Sequence, residues 1–298
     1  MSLSMISHLL EKVVWGAPSF WIERFPLYWG IHQGYFKDQG IDLHIQYSYG
    51  GPELARAFNG GSVHIGEMGL PPFATAYQQG MSARIIGSSV IQQLDHYLAA
   101  RPDIISIEGL AGRRIGILSG GSCDDYFIRK ILATREIDPD GDVELVPLGK
   151  DYGKPGLIAD RHVDAAFVVE PQLARGEHEG LLRVIGRVAD YYPRYQWGII
   201  LASQAWLNQK MDLLGRLMHA FRKACRSIKD HPGLTIALGS RIFGVAPEVF
   251  EIALMRDLPR WEINAKLDRA GLQNALNVQE EMVVSTSDLS LDEMVQQL

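Results

Sequence analysis

The sequence predicts an α/β protein built from two units. Two observations carry this expectation. Short apolar β-type runs alternate with segments of helical periodicity from Lys12 to Gly87 and again from Arg114 to Val169, and the connections are short enough to imply parallel strands. In addition, 298 residues with 47% hydrophobic and 21% charged content can bury more core than one small domain needs.

In the first unit, Lys12–Trp15, Ile41–Tyr47, His64–Gly66 and Ala83–Gly87 read as strands. Pro26–Asp38 places Leu27, Tyr35 and Phe36 on a helical stripe that Gly40 ends, and Glu53–Phe58 forms a short helix ahead of Gly60-Gly61. The second unit opens at Arg101-Pro102-Asp103. It gives strands at Arg114–Leu118, Val143–Leu148 and Ala165–Val169, with helices at Cys123–Arg135 and Lys154–Arg161. Gly198–Ser203 is one more strand. From Trp206 onward the chain is helical, punctuated by Pro232, Pro247 and Pro259, so it is expected to wrap back onto the first unit.

Formal charge is -6, so no strong positive field gathers phosphate backbones and no nucleic-acid partner is expected. The two cysteines, Cys123 and Cys225, fit no zinc or redox spacing, and the histidines form no HExxH pair; neither a metal nor a cofactor is expected. No apolar run reaches the roughly 20 residues that span a bilayer. The opening MSLSMISHLLEKV has neither a basic n-region nor a full apolar h-region. A periplasmic or cell-surface location therefore requires a leader removed ahead of it, and a native N-terminus implies the cytoplasm.

In open α/β sheets ligands collect beyond the carboxyl ends of strands, where backbone N–H groups at helix starts lack partners. The first such loop, Gly16 to Trp21, offers Trp21 as a ring to stack on a planar ligand, or as part of a hydrophobic staple for the next helix. The second is Glu67-Met68-Gly69, where Gly69 permits close approach of a ligand and Glu67 is either a ligand acceptor or a solvated strand end. Ser88, Ser89 and Gln92 offer neutral hydrogen bonds at the crossing to the second unit. Tyr195 and Trp197 precede the return crossing, as packing or as an aromatic wall.

Ser119, Gly120, Gly121 and Ser122 lie between a parallel strand and a helix, an arrangement that favours a carboxylate, sulfonate or phosphate edge. Without a GKS or GKT lysine the segment is not a nucleotide P-loop. Cys123 is a nucleophile if the helix start lowers its pKa, but Asp124 and Asp125 oppose a thiolate; an inert thiol beside an N-capping Ser122 is the other reading. Glu170, before Pro171, either accepts hydrogen bonds from a ligand amine or amidine, or pairs with a hinge residue such as Arg101 or Arg194 and locks the two units together.

Four stretches in succession, FPLYWGIHQGYFKDQGIDL from Phe25, GGPELARAFNGGSVHIGEMGLPPFATAYQQG from Gly50, ISIEGLAGRRIGILSGGSCDDYFIRKIL from Ile105 and HVDAAFVVEP from His162, resemble one family. They look like the periplasmic binding proteins of the sulfonate, nitrate and thiamin-pyrimidine-precursor group, which serve ATP-driven importers. The resemblance runs from about Lys12 to Pro232. It implies a two-lobed type 2 periplasmic-binding-protein fold, each lobe a mostly parallel sheet flanked by helices, with the ligand between the lobes. It also implies residues 1–97 with 201–298 as one lobe, 98–200 as the inserted lobe, hinge closure on the ligand, a monomer, and an importer permease as partner. His64 departs from the family, which usually carries Asp in that GxVDIG position; only a local turn is put in doubt.

The function expected is capture of a small polar or heteroaromatic ligand, anionic or zwitterionic. The alternative is a cytoplasmic enzyme on the same fold, acting on an aromatic acid or pyrimidine-like substrate through Cys123 or a cleft histidine such as His96. The specific enzymatic relatives lose ground, because the chain has no cysteine-rich segment and no cysteine in the loop Gly16–Phe25.

Overall fold

The structure is a computed structural model, and it describes residues 10–48, 50–89, 96–120, 122–281 and 289–296. Two five-stranded sheets organise it. The strands are β1 (Glu11–Ala17), β2 (Ile41–Tyr47), β3 (Ile65–Gly69), β4 (Ala83–Ser88), β5 (Tyr97–Ala100), β6 (Arg114–Ile117), β7 (Glu144–Pro147), β8 (Ala165–Val168), β9 (Arg183–Arg187) and β10 (Gly198–Ser203). The first sheet has the order β2-β1-β3-β10-β4 and the second β7-β6-β8-β5-β9. This is the two-lobed α/β architecture expected.

In each sheet β-α-β succession makes parallel neighbours, β1 with β2 and β3 in one, β6 with β7 and β8 in the other. The strand that arrives from the opposite lobe inserts antiparallel. β10 runs against β3 and β4, and β5 against β8 and β9. The sheets are therefore mixed as well as mostly parallel. Sequence reading misses β5 and β9: Tyr97-Leu98-Ala99-Ala100 is only four residues, buried throughout, and shows no alternation.

The first lobe carries α1 (Phe25–His32), α2 (Gly51–Asn59) and α3 (Leu70–Gln78), and the second α4 (Cys123–Ala133), α5 (Gly156–Ala159), α6 (Gln172–His178) and α7 (Val188–Tyr191). After β10 come α8 (Gln204–Gln209), α9 (Met211–Ser227), α10 (Pro232–Phe243), α11 (Pro247–Asp257), α12 (Arg269–Glu281) and α13 (Leu291–Met294). Proline opens α10 and α11, where its missing N–H costs nothing. The expected helix to Asp38 stops at His32, because Gly34 turns the backbone left-handed (φ +76°) and only a 3-10 turn follows before Gly40 at φ +73°.

The C-terminal helices do wrap back onto the first lobe. α9 buries Leu214, Leu217, Phe221 and Ala224 in the same cluster as Val13, Trp15 and Leu27, with Phe221 stacked on Trp15 at 5.4 Å. α12 lies against α3, where Gln279 donates to the Pro71 carbonyl at 3.1 Å. Among the described residues no helix is long and apolar enough to cross a membrane.

β1 and β3 approach so closely that a Cβ on Gly66 would stand 2.4 Å from the Gly16 carbonyl oxygen. That backbone cannot retreat without breaking the β1–β3 ladder, which aims two of the site loops. Gly66→Ala is expected to lower stability by about 2 kcal/mol or more in chemical denaturation, with the urea slope unchanged.

Candidate functional site

The candidate site lies where the carboxyl ends of the two sheets meet. The segment after β1 touches the end of β8: the Ile22 N–H donates to the Glu170 carbonyl at 3.3 Å. Trp21, half-buried, sets its ring edge-on to His96 with centroids 5.9 Å apart. Trp197, just before β10, lies 5.2 Å from His96, and Phe167 of β8 lies 6.1 Å from it. Rings from both lobes therefore surround one imidazole.

His96 in turn faces α4, with Nε2 at 3.5 Å from Asp124 Oδ1. Asp124 is buried, and the Tyr152 hydroxyl also acts on its carboxyl. Burial holds its carboxyl above the usual range, against the opposing pull of His96 and Tyr152. Asp125 is occupied elsewhere, bonded to Arg129 at 2.7 Å. Asp124 escaped the sequence reading because an acid in the first turn of a helix already has a reason to be there.

In the turn before α4, Ser122 makes two local hydrogen bonds. The Ser122 hydroxyl caps α4 by accepting from the Asp125 N–H at 3.3 Å, and the Ser122 N–H donates to the Ser119 carbonyl at 3.1 Å. Ser119 and Gly120 are exposed; Gly121 and Gln92 lie outside the described residues. The N-cap reading of Ser122 holds, and its amide is engaged within the turn, while the hydroxyl accepts in the cap and keeps its own O–H to donate. Burial, aided by the Asp124 charge, pushes the Cys123 thiol up to about 12. At neutral pH this sulfur is a thiol, which removes the basis for a nucleophile.

Glu170 corrects another expectation. Its carboxylate, 1% exposed, takes Arg256 Nη1 at 2.6 Å and the Ala174 N–H at 2.9 Å. Arg256, on α11, also reaches Glu177 of α6 at 2.7 Å and stands over the Tyr97 ring. The lock between lobes is real, but neither named arginine makes it: Arg101 pairs with Asp103 and Asp164, and Arg194 with Asp268. Arg256 was missed because a single arginine on a C-terminal helix carries no sequence signal for a partner 86 positions earlier.

Glu67 is not a solvated strand end. It is 1% exposed, on the face of β3 that Ile65 shares, with Arg24 Nη1 at 3.4 Å and Glu23 paired to the same Arg24. Two buried carboxylates share one guanidinium, so burial raises the Glu67 pKa to about 7. Met68 points the other way into the core, and Gly69 lies against the Trp197 ring, where a Cβ would meet it at 3.5 Å. Ser88 is consumed by the crossing: its hydroxyl donates to the Ser89 carbonyl at 2.6 Å and accepts from Gln196 Nε2 at 2.9 Å. Tyr195 and Ser89 are buried with hydroxyls that have no protein partner among the described residues. Tyr195 and Trp197 pack as neighbours, centroids 6.3 Å apart. His64, at the opposite end of β3, bonds Ser203 and stacks on Trp206. Among the described residues no metal-type cluster of His, Cys, Asp or Glu occurs.

Arg256→Met leaves Glu170 buried without its counter-charge, and a loss of about 3–5 kcal/mol is expected by denaturation, partly recovered by adding Glu170→Gln. For Glu67 the folded state holds the proton more tightly than the unfolded chain. Stability is accordingly full below the unfolded pKa and declines as pH rises from about 4.5 to about 7. Denaturation across that window should show a drop of up to about 3 kcal/mol that Glu67→Gln abolishes.

The NMT1/THI5 like family model matches residues 21–234. A curated relative, the putative binding protein YtlA of Bacillus subtilis, is 21% identical over 236 residues, covering 78% of this chain and 71% of that protein. Among solved structures, the alkanesulfonate-binding protein SsuA from Xanthomonas axonopodis pv. citri, bound to MOPS, superposes with a TM-score of 0.76 at 15% identity, over 97% of this chain and 99% of that one. The periplasmic aliphatic sulphonate binding protein SsuA from Escherichia coli gives 0.75 at 16% identity, over 96% and 97%. These likenesses reproduce the two-lobed fold over nearly its whole length. With the family model spanning both lobes, the chain belongs to the NMT1/THI5-like family.

Proposed function

We propose that this chain is the solute-binding component of an ATP-driven importer. It captures a small polar or heteroaromatic ligand between a lobe of residues 1–97 with 201–298 and a lobe of residues 98–200, except that Tyr97 pairs within the second sheet and Gly198–Ile200 within the first. It presents the closed form to a membrane permease. The observation that carries the reading is the meeting of both lobes on one aromatic, polar cluster, with Trp21, Trp197 and Phe167 around His96 and the Ile22–Glu170 backbone bond beside it. The relatives named for binding small molecules support it. A periplasmic or cell-surface location and a monomeric state follow from the same reading.

An enzyme on this fold would need an activated group, and Cys123, held as a thiol, is a poor one. Native mass spectrometry of the purified chain is expected to reveal a copurified organic compound. Adding that compound back after its removal should raise the melting temperature and leave it chemically unchanged. Cys123→Ala should bind it within about threefold of the parent. Turnover of the compound, or a covalent adduct on Cys123, would reverse the assignment in favour of catalysis.

A further inference from the structure

We propose that Asp124 sets the charge of the ligand: the crevice takes a small planar compound bearing a cationic nitrogen, of the amidinium or guanidinium kind, and turns away sulfonates and carboxylates. This rests on the solute-binding reading and narrows its ligand class. Asp124 is 5% exposed at the first turn of α4, and the principal side chains acting on its carboxyl are His96, Tyr152 and Asp125, none of them an arginine or lysine. Asp125 is paired with Arg129, and the arginine of the lobe junction, Arg256, is already divided between Glu170 and Glu177. An anion entering here would meet a buried carboxylate and the electron-rich faces of indole rings, and among the described residues the side chains acting on that carboxylate include His96 but no arginine or lysine.

A cation meets the reverse. Trp21 and Trp197, both steeply inclined to the His96 ring, supply π-faces, and Asp124 supplies a charge-assisted acceptor in surroundings of low dielectric. The bound cation would also remove the penalty of a buried acid that lacks a full counter-charge. His96, 3.5 Å from Oδ1, is a positioning residue that holds the carboxyl against the rings.

The test uses the full chain, freed of copurified compound, and a matched pair of rings, benzamidine and benzenesulfonate, followed by calorimetric titration. Benzamidine is expected to bind at least about tenfold more tightly than benzenesulfonate, and Asp124→Asn to erase that preference by weakening benzamidine about tenfold. His96→Gln should weaken benzamidine while keeping the preference, which simple unfolding would not do. Equal or tighter binding of benzenesulfonate by the parent chain overturns the inference, as does an Asp124→Asn variant that retains the preference. Binding of neither ring overturns it too, whereas the importer role is decided separately by whether a copurified compound exists. Should Asp124→Asn fail to fold, the ratio of the two parent affinities decides alone.

Discussion

A carboxylate at the end of β8 cannot remain buried without a counter-charge, and here the counter-charge comes from the helices that belong with the other sheet. Glu170 is closed off from water, and Arg256 of α11 reaches it at 2.6 Å while holding Glu177 with its second nitrogen. Because two acids on one lobe share one guanidinium from the other, the pairing fixes both distance and angle between α11 and α6. The Ile22–Glu170 backbone bond and the stacking of Arg256 over Tyr97 stand on the same contact. Its main effect is on geometry: a buried pair adds little net stability, yet breaking it is costly.

Given that junction, the topology brings the remaining parts together. In each sheet the strand entering from the opposite lobe inserts antiparallel, so β10 delivers Trp197 to the edge where β1 and β3 end, and His96 immediately precedes β5. The close approach of Gly16 and Gly66 keeps β1 and β3 in register and sets where Trp21 can stand. The result is a ring of aromatic groups drawn from both lobes, with one buried acid against it. Under the solute-binding function proposed above, such a site would close on its ligand, because half of its contacts are missing whenever the lobes part.

Several local features were legible from residue types alone. Ser122 followed by two acids reads as a capped helix start, and the cap is present. Proline opening α10 and α11 and the β-α-β succession located most elements to within a few residues, whereas Gly40 closes a 3-10 turn beyond the end of α1. Glu170 was correctly suspected of joining the lobes, but its partner could not be named, since pairing over 86 positions depends on how two helices cross and not on their sequences. Of the two readings of Glu67, burial excludes the solvated strand end for a related reason. Its place at a strand end suggested solvent, while α1 and its preceding turn cover that face and bring Arg24 over it.

The sequence by itself determined the class of fold, the order of elements, the caps, and the family resemblance, because all of these depend on neighbours within a few positions and on periodicity. Folding in three dimensions settled which loops face one another, that Asp124 is buried against His96 in the aromatic cluster, and that Arg256 reaches Glu170. The physical reason is that burial and counter-charge are properties of a place in space. Whether a carboxylate is solvated, paired or left to a ligand is settled by side chains that arrive from elsewhere in the chain.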